Sequence, residues 1–454
     1  MKNHSLYSSH SPLIGVALWM QQQRVWDRIA ESVPIPQKVV RYRPTDKLLG
    51  AFVTILTGAG GLVEANTRVR PDEALCRAFG FDAFPDQSTL SETLNACTEE
   101  SVKAMRECVT AIYRSAGCAP RHKPHHGWLI LDVDLTGMPC GRRAEGATKG
   151  YFSRARGRRG RQLGRVVATD YEEIVIQELY PGKRQLSQAF CPLIEAAEGV
   201  LGLDRDPQRR RMVLLRCDAG GGTEREINWA LERGYQVLTK LKNYQRTQKL
   251  VRSVTKWYPD SKVPGRFVGW VEKPHPFARP TLQIVVRSER AGKKPTERVL
   301  VTSLSEIEVV SMMGRTVQQP LDPCQVALAV AHLYDQRGGG AETENRQDKQ
   351  GLGLTKRNKK RFQAQHMLVL LAELAHNLLT WVRQRLAQVN TQWQGWGILR
   401  LVRDVFHIPG MVQYDAHHRP QRLILSSRHP LSGPLLQPLR LLVGGELVII
   451  LDKI

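Results

Sequence analysis

Three acids and three other polar groups stand at places where chemistry could be done. Asp134 closes the apolar run WLILDVDLTG, and Asp218 closes a second, MVLLRCDAGG. Glu342 lies in YDQRGGGAETENRQDK with Tyr334, Arg337 and Lys349. Carboxylates are hard oxygen donors, and three that converge suit two divalent cations such as Mg²⁺. Two such ions can activate a water or hydroxyl and steady the leaving oxygen of a phosphodiester. Glu342 and Lys349 are seven residues apart. On a helix that is two turns, so a metal-holding acid and a phosphate-holding cation would leave one face. Each feature alone has a plainer reading. Mixed charges are common on a solvated helix face, and an Asp before GGGTERE can cap a helix. An acid/base carboxylate pair of the glycosidase kind fits poorly with so basic a chain.

That basicity narrows the partner. The 454 residues carry a formal net charge of +23, which points to a polyanion. The charge is clustered: Arg154, Arg156, Arg158, Arg159, Arg161 and Arg165 form one run, Arg209–Arg211 a second, and Lys356, Arg357, Lys359, Lys360 and Arg361 a third. At 42% hydrophobic and 24% charged the chain is globular, and its length implies two or three domains. The eight cysteines contain no C-x-x-C pair, so neither a zinc ribbon nor a thioredoxin-like motif is indicated. Free thiols and no signal-like N-terminus imply a cytoplasmic protein, with no membrane partner. No apolar stretch is long enough to span a bilayer.

The elements that would position these groups follow from periodicity. Residues 1–120 read as short helices, with Val102, Met105, Val109 and Ile112 as one apolar stripe. Joined by tight turns, they suggest either a helix-turn-helix-like DNA-binding unit or a supporting bundle. From 121 to 244 strands and helices alternate. WLILDVD and MVLLRCD read as buried strands, and the whole reads as an α/β sheet with acids at strand ends. Residues 245–320 are a β-rich insertion, and 321–390 are helical again. The long helix there has its stripe at Phe362, Met367, Leu371, Leu374, Leu378, Val382 and Leu386, with His376 and Asn377 as satisfied polar groups. Residues 391–454, rich in Pro, Gly and Leu, read as a C-terminal appendage.

At these residues the chain resembles the DDE transposases of bacterial insertion sequences, in the branch with a Tyr-Arg-Glu-Lys signature, within the RNase H-like superfamily. The first motif matches as Asp134 and Thr136, the second as Asp218, the third as Tyr334, Arg337, Glu342 and Lys349. Four residues rather than the usual three separate Arg337 from Glu342. Glu342 is chosen over Glu344 because it keeps the Glu-to-Lys interval, and Asp134 over Asp132 because only Asp134 has the Thr two residues on. The resemblance implies an RNase H-like catalytic core interrupted by the β-rich insertion, behind an N-terminal helical domain. It implies an enzyme that binds the terminal inverted repeats of its element, cuts by metal-assisted hydrolysis and joins 3′ ends to target DNA. Asp134, Asp218 and Glu342 would hold two Mg²⁺ (or Mn²⁺) ions. Tyr334, Arg337 and Lys349 would grip phosphates, the arginine run from Arg154 to Arg161 would add DNA contacts, and the DNA-bound form would be a nucleoid-associated homodimer. A metal-dependent nuclease without strand transfer and an inactive DNA-binding protein are the alternatives.

Overall fold

A computed structural model describes the chain except residues 1–3, 151, 153–156, 315–319, 340, 416–418, 446 and 454. Arg154 and Arg156 therefore lie outside the described residues, as do the side chains of Glu342 and Glu344. The strands, in chain order, are β1 (His4–Ser8), β2 (Leu129–Pro139), β3 (Thr148–Lys149), β4 (Arg159–Ala168), β5 (Glu173–Pro181), β6 (Val213–Cys217), β7 (Gln236–Lys240), β8 (Tyr258–Pro259), β9 (Arg266–Trp270), β10 (Leu282–Arg290), β11 (Lys293–Thr302), β12 (Gly410–Tyr414), β13 (Pro420–Ser426) and β14 (Val448–Asp452). The chain divides into two compact units.

The first unit gathers Met1–Gly117, Met138–Arg161 and Glu344–Ile454. Its axis is the helix Phe362–Val389, whose predicted stripe is buried from Met367 to Leu386, while Phe362 at its start is half-buried. Glu373, His376, Asn377 and Thr380 are buried too, so this helix is enclosed on all sides rather than along one face. His376 is satisfied by donating from Nδ1 to Asp348 at 2.8 Å. Around the long helix pack Pro44–Leu56, Gln87–Ala96, Glu99–Ala116 and Ser432–Leu442. Glu99–Ala116 begins at Thr98, whose hydroxyl accepts from the Ser101 amide, and it buries the predicted Val102, Met105, Val109 and Ile112.

Two expectations are corrected in this unit. The N-terminal stretch is not wholly helical, because β1 pairs antiparallel with β12, from His4↔Tyr414 to Ser8↔Gly410. The tail is no appendage either. Its strands complete a four-stranded sheet in the order β1-β12-β13-β14, and its helix Ser432–Leu442 packs on the long helix. Pairing partners some 400 residues apart leave no trace in local periodicity.

The second unit holds Cys118–Gly137 and Gln162–Thr343. Its sheet runs β4-β2-β6-β7-β11-β10-β9-β8, with β5 on the other side of β4. β2, β6 and β7 are parallel neighbours. The insertion is not a separate module: β11 pairs antiparallel with β7, and β10, β9 and β8 extend the same sheet. The helix Pro323–Gly339 lies across one face, where Val326, Val330 and Leu333 pack with Ile130, Leu214, Leu238, Ile284 and Leu300. We call it the signature helix because it carries Tyr334 and Arg337.

Candidate active site

Side chains alternate along a strand. Ile130 faces the signature helix, so Asp132 and Asp134 do as well, and the same parity puts Arg216 beside Leu214 on that face of β6. The last registered pair of β2 and β6 is Val133↔Cys217. Asp134 and Asp218 therefore follow side by side where the pairing of two parallel strands stops, Asp218 just past the end of β6 and Asp134 midway along β2, which runs on to Pro139, and the two backbones lie about 4.8 Å apart. Carboxyl ends of parallel strands are where open α/β sheets place their ligands.

The signature helix is fastened to both strands at this point. The Tyr334 hydroxyl donates to the Cys217 carbonyl at 3.2 Å. One turn on, Arg337 Nη2 pairs with Asp134 Oδ1 at 3.1 Å and also donates to the Val133 carbonyl at 3.4 Å. Burial works against the charge of Arg337, but the Asp134 carboxylate, with Tyr334 and Asp132 behind it, more than offsets that and holds its pKa well above the ordinary value. Asp218 is exposed, and its Oδ1 accepts from the Gly220 amide at 2.7 Å.

Asp132 is committed elsewhere. It is fully buried and takes a two-pronged contact from Arg216, Nε to Oδ1 at 2.8 Å and Nη2 to Oδ2 at 2.9 Å. The Thr169 hydroxyl donates to it as well, at 2.8 Å. Asp134 is thus the acid of β2 whose side chain stays partly exposed.

Two groups on this face were not read from the sequence. Lys240, ending β7, places its Nζ 4.8 Å from the centre of the Tyr334 ring. A cation closing the strand next to that of Asp218 was the available signal. The second is Asp260, which accepts from Arg266 Nε at 2.6 Å and from His332 Nε2 at 2.9 Å, while Arg266 also pairs with Asp335. These contacts tie the insertion to the signature helix on either side of Tyr334, and nothing local in the sequence announces them.

The donor set fits a hard cation. Asp134, Asp218 and Glu342 offer only carboxylate oxygens. The neighbouring Cys217 thiol is pushed up to about 12 by burial, so it offers no thiolate. Among the described residues no three potential ligands cluster, and the Glu342 side chain lies outside them. Its backbone is in the helix Ala341–Gly351, which also carries Lys349. The unit boundary falls inside that helix, and Lys349 belongs to the first unit. Asp348, its neighbour, is taken by His376.

Of the described arginines of the run, Arg158, Arg159 and Arg161 belong to the first unit. Arg158 and Arg159 are exposed. Arg161 is only 1% exposed and donates to the carbonyls of Glu145, Lys359 and Lys360 at 2.7, 2.9 and 2.9 Å. This corrects its reading as a DNA contact, because its guanidinium is spent on backbone. Arg161→Ala therefore lowers the thermal midpoint, each orphaned carbonyl costing about 1–3 kcal/mol, and leaves the salt dependence of DNA binding unchanged. Arg158→Gln with Arg159→Gln does the opposite, reducing the slope of log K against log salt by about one per lost phosphate contact. Equal slopes for the parent and this double variant would make both arginines mere solvated surface.

The chain belongs to the family described as transposase DDE domain, group 1, whose model matches residues 7–442. It is therefore a transposase of the DDE class, a class that is generally dependent on divalent metal. No curated protein matches it. Among solved structures it is similar to a piggyBac transposase in a cryo-EM synaptic complex with hairpin DNA, at 10% identity and a TM-score of 0.44, over 89% of this chain and 83% of that one. No helix among the described residues is long and apolar enough to cross a membrane.

Proposed function

We propose that this transposase, of the Tyr-Arg-Glu-Lys branch found in bacterial insertion sequences, binds the terminal inverted repeats of its element, cleaves there and joins the freed 3′ ends to target DNA. The observation that carries this reading is the fastening of Tyr334 to the end of β6 and of Arg337 to the middle of β2, the strands that deliver Asp218 and Asp134. Two acids side by side on adjacent parallel strands, β2 and β6, support an RNase H-like core.

In this reading Asp134, Asp218 and Glu342 hold two Mg²⁺ or Mn²⁺ ions, which when bound supply the activation of the attacking oxygen and the stabilisation of the leaving one. Arg337 keeps the Asp134 carboxylate aimed, its planar fork reaching acid and backbone together. Lys240, stacked on Tyr334, presents a compact cation beside the Asp218 strand end, and Lys349 adds one two helical turns beyond Glu342. The helices of residues 1–120 contact the DNA ends, and the active form on DNA is a homodimer.

The test supplies pre-cut ends bearing a 3′ hydroxyl, a target plasmid and Mg²⁺. Joined products are expected. Cutting of intact ends without any joining would leave a metal-dependent nuclease. End binding with no metal-dependent product would leave an inactive DNA-binding protein.

A further inference from the structure

The strands β10 and β11 continue past their neighbours. β9 pairs with β10 only over Ile284–Ser288, and β7 pairs with β11 only over Leu300–Thr302. Glu289 still donates its amide to the Gly265 carbonyl and Val299 still accepts from the Leu241 amide; between them no further strand flanks the pair among the described residues, and every residue from Lys293 to Arg298 is exposed. The pair is a free ribbon whose outer limb, at about 3.4 Å per residue, reaches roughly 20 Å beyond the sheet.

From Arg287 to Arg298 the ribbon carries five cations and two carboxylates. Register pairs Val286 with Arg298 and Ser288 with Thr296, so alternation puts Ser288, Lys294, Thr296 and Arg298 on one face. Up to the bulge that face carries cations and hydroxyls. It continues the side on which Ile284 and Leu300 rest against the signature helix. The opposite face holds Glu297, paired with Arg287 at 2.7 Å, and that guanidinium lies 3.8 Å from the Trp257 ring. Glu289 occupies the bulge between Ser288 and Arg290. Glu297 thus lies on the opposite face, where it neutralises one of that face's cations.

We infer that this ribbon docks in the major groove of duplex DNA through Ser288, Lys294, Thr296 and Arg298. A two-stranded β-ribbon fits that groove, which is about 12 Å wide, and the cationic face is complementary to phosphates on its walls. The inference rests on the DNA-binding reading above and deepens it by naming the surface.

The test uses full-length protein and a duplex carrying the element's terminal repeat. Lys294→Gln with Arg298→Gln is compared with the parent and with the charge-keeping pair Lys294→Arg, Arg298→Lys. The parent should protect a set of guanine N7 atoms, which line the major groove, from methylation by dimethyl sulfate. The neutral variant should lose that protection and lower the salt slope by about two units, at an unchanged thermal midpoint. The charge-keeping pair should retain the slope. If the neutral variant keeps both slope and protection while the parent binds DNA, the ribbon is not the docking surface and the transposase reading stands. If the parent binds no DNA, both fall together. A neutral variant that loses binding to single-stranded RNA but not to the duplex overturns the ribbon assignment alone.

Discussion

Asp134→Asn and Asp218→Asn each reduce Mg²⁺-dependent cutting of a terminal-repeat duplex by at least about 10³-fold, on the order of 4 kcal/mol in the barrier, while end binding persists. The asparagine matters. Arg337 is almost fully buried against Asp134, and alanine would strand its charge, confusing loss of chemistry with loss of fold. An amide keeps an acceptor for Arg337 and removes only the anion a divalent cation needs. Asp218 has no comparable fastening role, because it stands exposed and accepts from Gly220. Glu342→Gln should behave in the same way and Glu344→Gln should not. Single-turnover cleavage beside a gel shift reads both quantities. An Asn variant that cuts at a tenth of the parent rate or faster would remove that residue from the metal site.

The part of this site that was legible was local. WLILDVD and MVLLRCD are apolar runs that end in acids, and the structure makes them β2 and β6, adjacent and parallel. The long helix and its stripe were legible for the same reason, since 3.6-residue periodicity is written in neighbouring positions. Partners far along the chain were not. Nothing near Asp132 shows that its counter-ion is Arg216, 84 residues on. Nothing near His4 shows that it pairs with Tyr414. Counting charge also misled in part, because it is blind to burial. Arg161 and Arg357 are long enough to bury a guanidinium and spend it on backbone carbonyls, Arg357 on those of Leu352 and Ala59. Burial lowers the pKa of Arg357 to about 10 and that of Lys359 to about 8. Part of each basic cluster is therefore fastening, and the exposed remainder is what a polyanion can meet.

Asp132→Ala should cost about 3–5 kcal/mol, the penalty for leaving one charge of a buried pair alone. Arg216 is as deeply buried as its partner, so it cannot turn to water. It would keep only the Leu333 carbonyl, to which it donates at 3.0 Å. The pair also has a positional consequence. Asp132 and Arg216 are opposed in the parallel register, each two residues before a site acid, so their two-pronged contact sets Asp134 and Asp218 level with one another. Arg216 reaches the signature helix through Leu333, next to Tyr334, so the same contact holds strand, strand and helix together. Replacing both charges with apolar residues, Asp132→Leu with Arg216→Met, should recover most of the lost stability, since well-packed apolar pairs often equal buried ion pairs. The recovery stays incomplete by about 1–3 kcal/mol because the Leu333 carbonyl loses its donor. Cleavage should recover less than stability does, because packing holds register more loosely than a two-pronged charged contact. Urea midpoints with single-turnover rates below the unfolding transition separate the two effects. A double variant that cuts at the parent rate would reduce the pair to a stability element, and an Asp132→Ala midpoint equal to the parent's would contradict the buried pair itself.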